Sequence, residues 1–214
     1  AALEHTKAGK EYLSQHQYRK ALPHYQQARD IFQSLQKHRH TARARLHLAV
    51  CWMMTGRVQD ALDVLRAVDQ ASRELEDKAL EGAAAGNLGL AYQNLNDYTN
   101  SIEQQKRALE IGRALQDQAM QLQAQIHLAE CYLQEGRCRQ AQGFGLVAHD
   151  LARQLGDLSS LGIIKDLLGR ISACGGDLRG AVNYHQEAVE IASKLGDLPH
   201  QAAALANLAL AKEG

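Results

Sequence analysis

Proline is nearly absent. Pro23 and Pro199 are the only two in 214 residues, and with abundant Ala, Leu, Gln and Arg this favours helix throughout. Neither sign of charge is in excess, with 24 basic and 24 acidic side chains, which argues against a nucleic-acid groove or an anionic membrane surface. The one local imbalance lies before Thr41, where seven Lys/Arg face three Asp/Glu beside five of the ten histidines; it reads as a solvated end. No apolar run approaches the ~18 residues that span a bilayer. The four cysteines, Cys51, Cys131, Cys138 and Cys174, have neither CxxC spacing nor a regular framework. Cys51 and Cys131 fall at one repeat position and are expected as small core residues in a reducing compartment. A signal peptide and an initiator methionine are also lacking, so the expectation is a piece of a longer protein.

What is present is periodicity. Leu88, Gly89 and Tyr92 share one face of a helix, Asn96-Asp97 ends it, and Ile102, Ala108, Ile111 and Leu115 form the apolar stripe of a second helix. Gly89 and Ala108 are small, which lets the two backbones approach. A hairpin of this size cannot bury its apolar face alone, and copies recur at a shift of 40 residues. Gly9, Ala49, Gly89, Ala129, Gly169 and Ala209 form one series; Tyr12, Trp52, Tyr92 and Tyr132 form another. Leu35, Leu75, Leu115, Leu155 and Leu195 close the units, and Asp77, Asp117, Asp157 and Asp197 follow as N-caps. The expected architecture is all-α: five helix hairpins at about residues 1–40, 41–81, 82–120, 121–161 and 162–198, then a terminal first helix over 199–214, forming one array. Pro23 is expected to bend the first turns of its helix. Gly143-Phe144-Gly145 predicts a soft helix or a close backbone contact. The apolar run from Ala202 to Ala211 suits the cut end of a longer array better than an outer face.

At Leu88, Gly89, Tyr92, Gly136, Ala181 and Ala188 the pattern resembles the tetratricopeptide repeat (TPR), and it does so along essentially the whole chain. The usual period is about 34 residues, and the six extra, with Asn87-Leu88-Gly89 and the Leu-Gly-Asp of 155–157 and 195–197, resemble the Pins-type spindle-orientation adaptors. The resemblance implies a right-handed solenoid whose first helices line a concave groove for a peptide or helix of a partner. It further implies that the residue before Leu-Gly contacts peptide backbone: Lys7, His47, Asn87, His127, Leu167 and Asn207, with Lys7 and Leu167 departing from the Asn/His pattern.

Residues facing away from the Leu88–Gly89–Tyr92 seam are the ones free to choose a partner. They are Arg43, Leu46, His47, Val50, Met53 and Met54; Gly86, Asn87, Leu90, Gln93 and Asn94; Ile126, His127, Glu130, Leu133 and Gln134; then Asp166, Arg170, Asn207 and Leu210. Leu46, Val50, Met53 and Leu90 are expected as an apolar strip bordered by amides and charges, suited to anchoring a peptide or an amphipathic helix. Enzyme chemistry has little footing. There is no HExxH, nucleophile elbow or Walker loop, and Gly143-x-Gly145-x-x-Ala148 lies inside a helix with no strand before it. His127 and Glu130 would make half a metal site, with no second pair facing them. The reading is therefore a non-enzymatic, cofactor-free scaffold or adaptor with a protein partner, cytoplasmic, and recruited or shuttled by that partner. The alternatives are self-association through the terminal helix, and a regulatory module of a larger enzyme or transcription regulator.

Overall fold

A computed structural model describes residues 1–213. Among them are eleven helices and no strand: α1 (Ala2–Ser14), α2 (Tyr18–Ser34), α3 (His38–Met54), α4 (Val58–Glu74), α5 (Lys78–Asn94), α6 (Tyr98–Ala114), α7 (Gln118–Gln134), α8 (Cys138–Leu155), α9 (Leu158–Cys174), α10 (Leu178–Leu195) and α11 (Leu198–Glu213). Each loop holds one left-handed residue, and these fall every twenty positions: His16, Gln36, Gly56, Glu76, Asn96, Gln116, Gly136, Gly156, Gly176 and Gly196. The next N–H then reaches back across the last helical turn, as Arg57 does to the Trp52 carbonyl at 2.8 Å, which is the Schellman ending.

Six of the eleven helices start at an acidic cap, while α1 to α4 and α8 have no side-chain cap. Asp77, Asp97, Asp117, Asp157 and Asp197 each accept the backbone N–H three residues on, at 2.9–3.2 Å. Asp177 does the same for Gly180 at 2.9 Å. Hydrogen bonds from Ser160 hold the Asp157 carboxyl below its ordinary range.

The chain divides into two compact units, Ala1–Gln116 and Asp117–Gly214. In the first, α1 to α6 pack in consecutive order, and the two first helices α3 and α5 also touch. Second-helix side chains press onto the small residues of the first helices. A Cβ on Gly9 would lie 2.9 Å from the Tyr25 ring, and one on Gly89 would lie 2.6 Å from Gln105 Nε2. Gln105 is buried and donates to the Gly86 carbonyl at 3.0 Å. Ala49, Leu65, Leu80, Ala84 and Leu88 belong to the largest core of this unit. α2 runs unbroken through Pro23, whose ring stands on its exposed side.

In the second unit α7 to α11 pack in the same consecutive order, with first helix α7 against α9 and α9 against α11. No comparable contact joins α8 to α10 among the described residues, so within this unit the first helices form the tighter, inner layer. His185 is 2% exposed and fills the place over Gly169, where a Cβ would come within 2.6 Å of its ring. α8 is continuous across its glycines. Gly145 makes the close contact, since a Cβ there would meet Leu168 at 2.9 Å; Gly143 has open space around it.

The cysteines depart from expectation. Cys51 and Cys131 are buried core residues, but Cys138 and Cys174 are joined in a disulfide, with Cα atoms 5.8 Å apart. Their spacing concealed a pairing that depends on α8 and α9 being neighbours, and it removes the cysteine argument for a reducing compartment.

Candidate functional site

In the first unit the inner face comes from α3 and α5. Of the expected apolar strip, Val50 and Leu90 are half-buried at its surface, while Leu46 (8% exposed) and Met53 (4%) lie inside the core with Leu80, Ala84, Leu88 and Ala91. Leu46 and Met53 are therefore packing residues and not open anchors. A first helix also packs against the first helix of the next repeat, and the contact between α3 and α5 takes part of the side expected to face a partner. Ile126 (5% exposed) is buried for the same reason in the second unit. Met54 and Asn94 are exposed at the helix ends, and Gln93 is half-buried.

The hydrogen-bonding ladder implied by the resemblance is largely turned onto the protein itself. His47 stacks on Tyr25 with ring centroids 4.8 Å apart. Burial first, then the charges of Lys10 and Arg43, push its pKa down from 6.5 to about 4. Asn87 donates to the Ala83 carbonyl of its own helix at 2.8 Å. His127 pairs with Glu130 at 3.3 Å, and Asn207 donates to both oxygens of Asp166 at 3.0 and 3.1 Å. Arg43 is exposed, and with Arg39 it flanks Asp77, at 3.3 and 3.0 Å. A second network had no signature in the sequence: Arg107 on α6 bridges Asp69 on α4 (2.7 Å) and Glu81 on α5 (2.6 Å). Burial raises the Glu81 pKa, but hydrogen bonds from Lys78 and Arg107 outweigh that and hold it below the ordinary value.

The second unit carries a defined cavity of about 190 Å³. Its lining joins the apolar side chains of Ile163, Leu167, Ile191 and Leu195 to the polar ones of Glu130, Asp166, Arg170, Asp197 and His200. Leu133 is half-buried on α7 outside this lining, and Leu210 is 68% exposed on α11. Asp166 is the centre of the polar lining: His185 Nδ1 meets it at 2.8 Å from α10 and Asn207 from α11. Burial would raise its pKa, but these two partners and the Arg170 charge bring it below the ordinary value. His185 was not anticipated, although it stands at the same register as Tyr25 and Gln105, 80 residues apart in each step, where each side chain covers a small first-helix residue. Among the described residues no three His, Cys, Asp or Glu converge as metal ligands, and no helix is long and apolar enough to cross a membrane.

Tetratricopeptide-repeat models match residues 6–76 and 83–113. No curated protein matches the chain. Among solved structures it is similar to the apo form of RapI (16% identity, TM-score 0.74, covering 99% of this chain and 83% of that one). It is also similar to nearly identical TPR-like repeats from Podosopora anserina (17%, 0.71, 91% and 95%). A Rap protein complexed with Competence and Sporulation Factor gives 20% identity, TM-score 0.72 and coverage of 98% and 65%. At these identities the likeness concerns the fold alone. Helix pairs in consecutive contact, small residues in the seams and the two matched stretches together identify residues 6–76 and 83–113 as tetratricopeptide repeats within an all-helical solenoid.

Proposed function

We propose that the chain is a non-catalytic protein-interaction module that holds a peptide or helical segment of a partner against its first helices. The observation carrying this reading is the cavity of the second unit among α9, α10 and α11, where apolar side chains and the charged Arg170 line one space. An apolar side chain of the partner enters over Ile163 and Leu167, and an acidic or carbonyl group meets Arg170. In the first unit Val50, Leu90, Gln93 and Asn94 offer a shallower surface for the same kind of segment. The similar structure of a Rap protein complexed with Competence and Sporulation Factor lends the reading support by analogy.

No role in binding nucleic acid or inserting into a membrane is assigned to it. An intracellular, cytoplasmic location with recruitment by the partner remains part of the proposal. The test is selection of peptides from a display library on the folded chain, followed by titration calorimetry. Arg170→Glu is expected to weaken the selected peptide at least tenfold, and Arg179→Glu on α10 to leave it unchanged. Equal affinity for both variants would move the site elsewhere.

A second reading, self-association, has one specific observation behind it: Leu198, Leu205 and Leu210 of α11 are 70%, 47% and 68% exposed. Sedimentation that shows a monomer at all accessible concentrations would remove it.

A further inference from the structure

The four cysteines fall into two chemical classes. Cys51 and Cys131 are fully buried, and burial pushes the Cys51 thiol up to about 11. Cys138 and Cys174 lie at the outer ends of their helices, Cys138 half-buried and Cys174 exposed. Cys138 is the first residue of α8, where unpaired backbone N–H groups and the helix dipole favour a thiolate. It is flanked by Arg137 and Arg139; Arg137 is engaged by Glu135 at 2.9 Å and by the Tyr132 ring, while Arg139 makes no ion pair among the described residues. Cys174 is the last residue of α9 and has no such activation. In the first unit Tyr18 and Met54 hold the same repeat positions, and there the two side chains line a common surface cleft. The fold thus places these two positions side by side, and only here are both occupied by sulfur.

We infer that Cys138 and Cys174 are a reversible thiol–disulfide couple, in which Cys138 attacks a small disulfide such as oxidised glutathione and Cys174 resolves the adduct, stapling α8 to α9. The Cys138 thiolate forms a bond to one glutathione sulfur, the glutathione S–S bond breaks, and one glutathione thiolate leaves. Cys174 gives its proton to solvent and attacks the Cys138 sulfur, expelling the second glutathione thiolate. Two protein thiols are oxidised and one glutathione disulfide is reduced to two thiols; a dithiol reductant reverses the sequence. The pair stands on its own geometry and does not depend on the partner-binding reading.

The test uses the whole chain, reduced with dithiothreitol, desalted without oxygen and exposed to oxidised glutathione. Alkylation after denaturation should fall from four thiols to two, the number left once one pair of the four cysteines is oxidised. Peptide mapping should place the cross-link at 138–174. Before oxidation, Cys138 should react with iodoacetamide at neutral pH about tenfold faster than Cys174. Cys174→Ser should trap one glutathione on Cys138. The oxidised chain should melt about 5–10 °C above the reduced one. Four thiols persisting after oxidation, a cross-link through Cys51 or Cys131, or no adduct on Cys138 in Cys174→Ser would each overturn the inference. An unchanged melting point would overturn the staple. The thiol counts are read on the unaltered chain, so they decide the matter even if the variant fails to fold.

Discussion

Two glycines, one on the first helix α5 and one on the second helix α8, should respond oppositely to one methyl group. At Gly89 a Cβ would lie 2.6–2.8 Å from three atoms of Gln105, a side chain that is 1% exposed and already bonded to the Gly86 carbonyl. Gly89→Ala should cost about 1–3 kcal/mol, because overpacking exceeds the gain in helix propensity. Gly143 has nothing within 4 Å, so Gly143→Ala should stabilise by up to about 1 kcal/mol. Urea unfolding of both variants checks the pair of signs. His47 supplies a pH dependence. In the fold it takes a proton only near pH 4, against an ordinary 6.5, so below 6.5 the unfolded chain binds more protons. Its contribution is complete above 6.5 and is lost as pH falls toward 4, by about 1.4 kcal/mol per pH unit at most. Stability measured from pH 7 to 4 should show this slope, and His47→Gln should flatten it. At this scale the sequence was informative about seams and poor about faces. Gly89 was readable because small residues recur in register; Leu46 and Met53 were misplaced because apolar residues toward a neighbouring first helix look the same as apolar residues toward a ligand.

For the helices, boundaries are set by caps whose chemistry is local, which is why Asp77, Asp117, Asp157 and Asp197 could be named in advance. Asp177 holds the register of Asp97, eighty residues on, and caps the second helix of its hairpin in the same way. Asp157→Ala removes an acceptor for two donors of Ser160, the backbone N–H and the hydroxyl, and should cost about 1 kcal/mol. Because Ser160 lowers the Asp157 pKa, that stabilisation is present above the ordinary carboxylate range and disappears as pH falls through the lowered value. Thermal melts of the variant and the parent should differ at pH 7 and converge in strong acid. Arg107 is the opposite kind of feature, joining three helices through partners 26 and 38 residues away, and no local pattern announces it. Arg107→Met should destabilise by roughly 1–3 kcal/mol by leaving Asp69 and the buried Glu81 without their shared partner, a loss readable by calorimetry.

Across the molecule, the order of contacts was legible and the working surface was not. Consecutive packing follows from short loops and apolar stripes, both of which are visible in sequence. The cavity at Arg170 depends on how α9, α10 and α11 meet, and Asn207 and His185 serve there to hold Asp166, which spacing alone could not assign. The account rests on the first helices being the face that meets a partner. Hydrogen exchange of the chain with and without a display-selected peptide tests this most directly. Protection gained along α9 around Ile163 to Arg170, along α11 and at the end of α10 around Ile191, with α8 unchanged, is the predicted result; protection confined to α8 would contradict it.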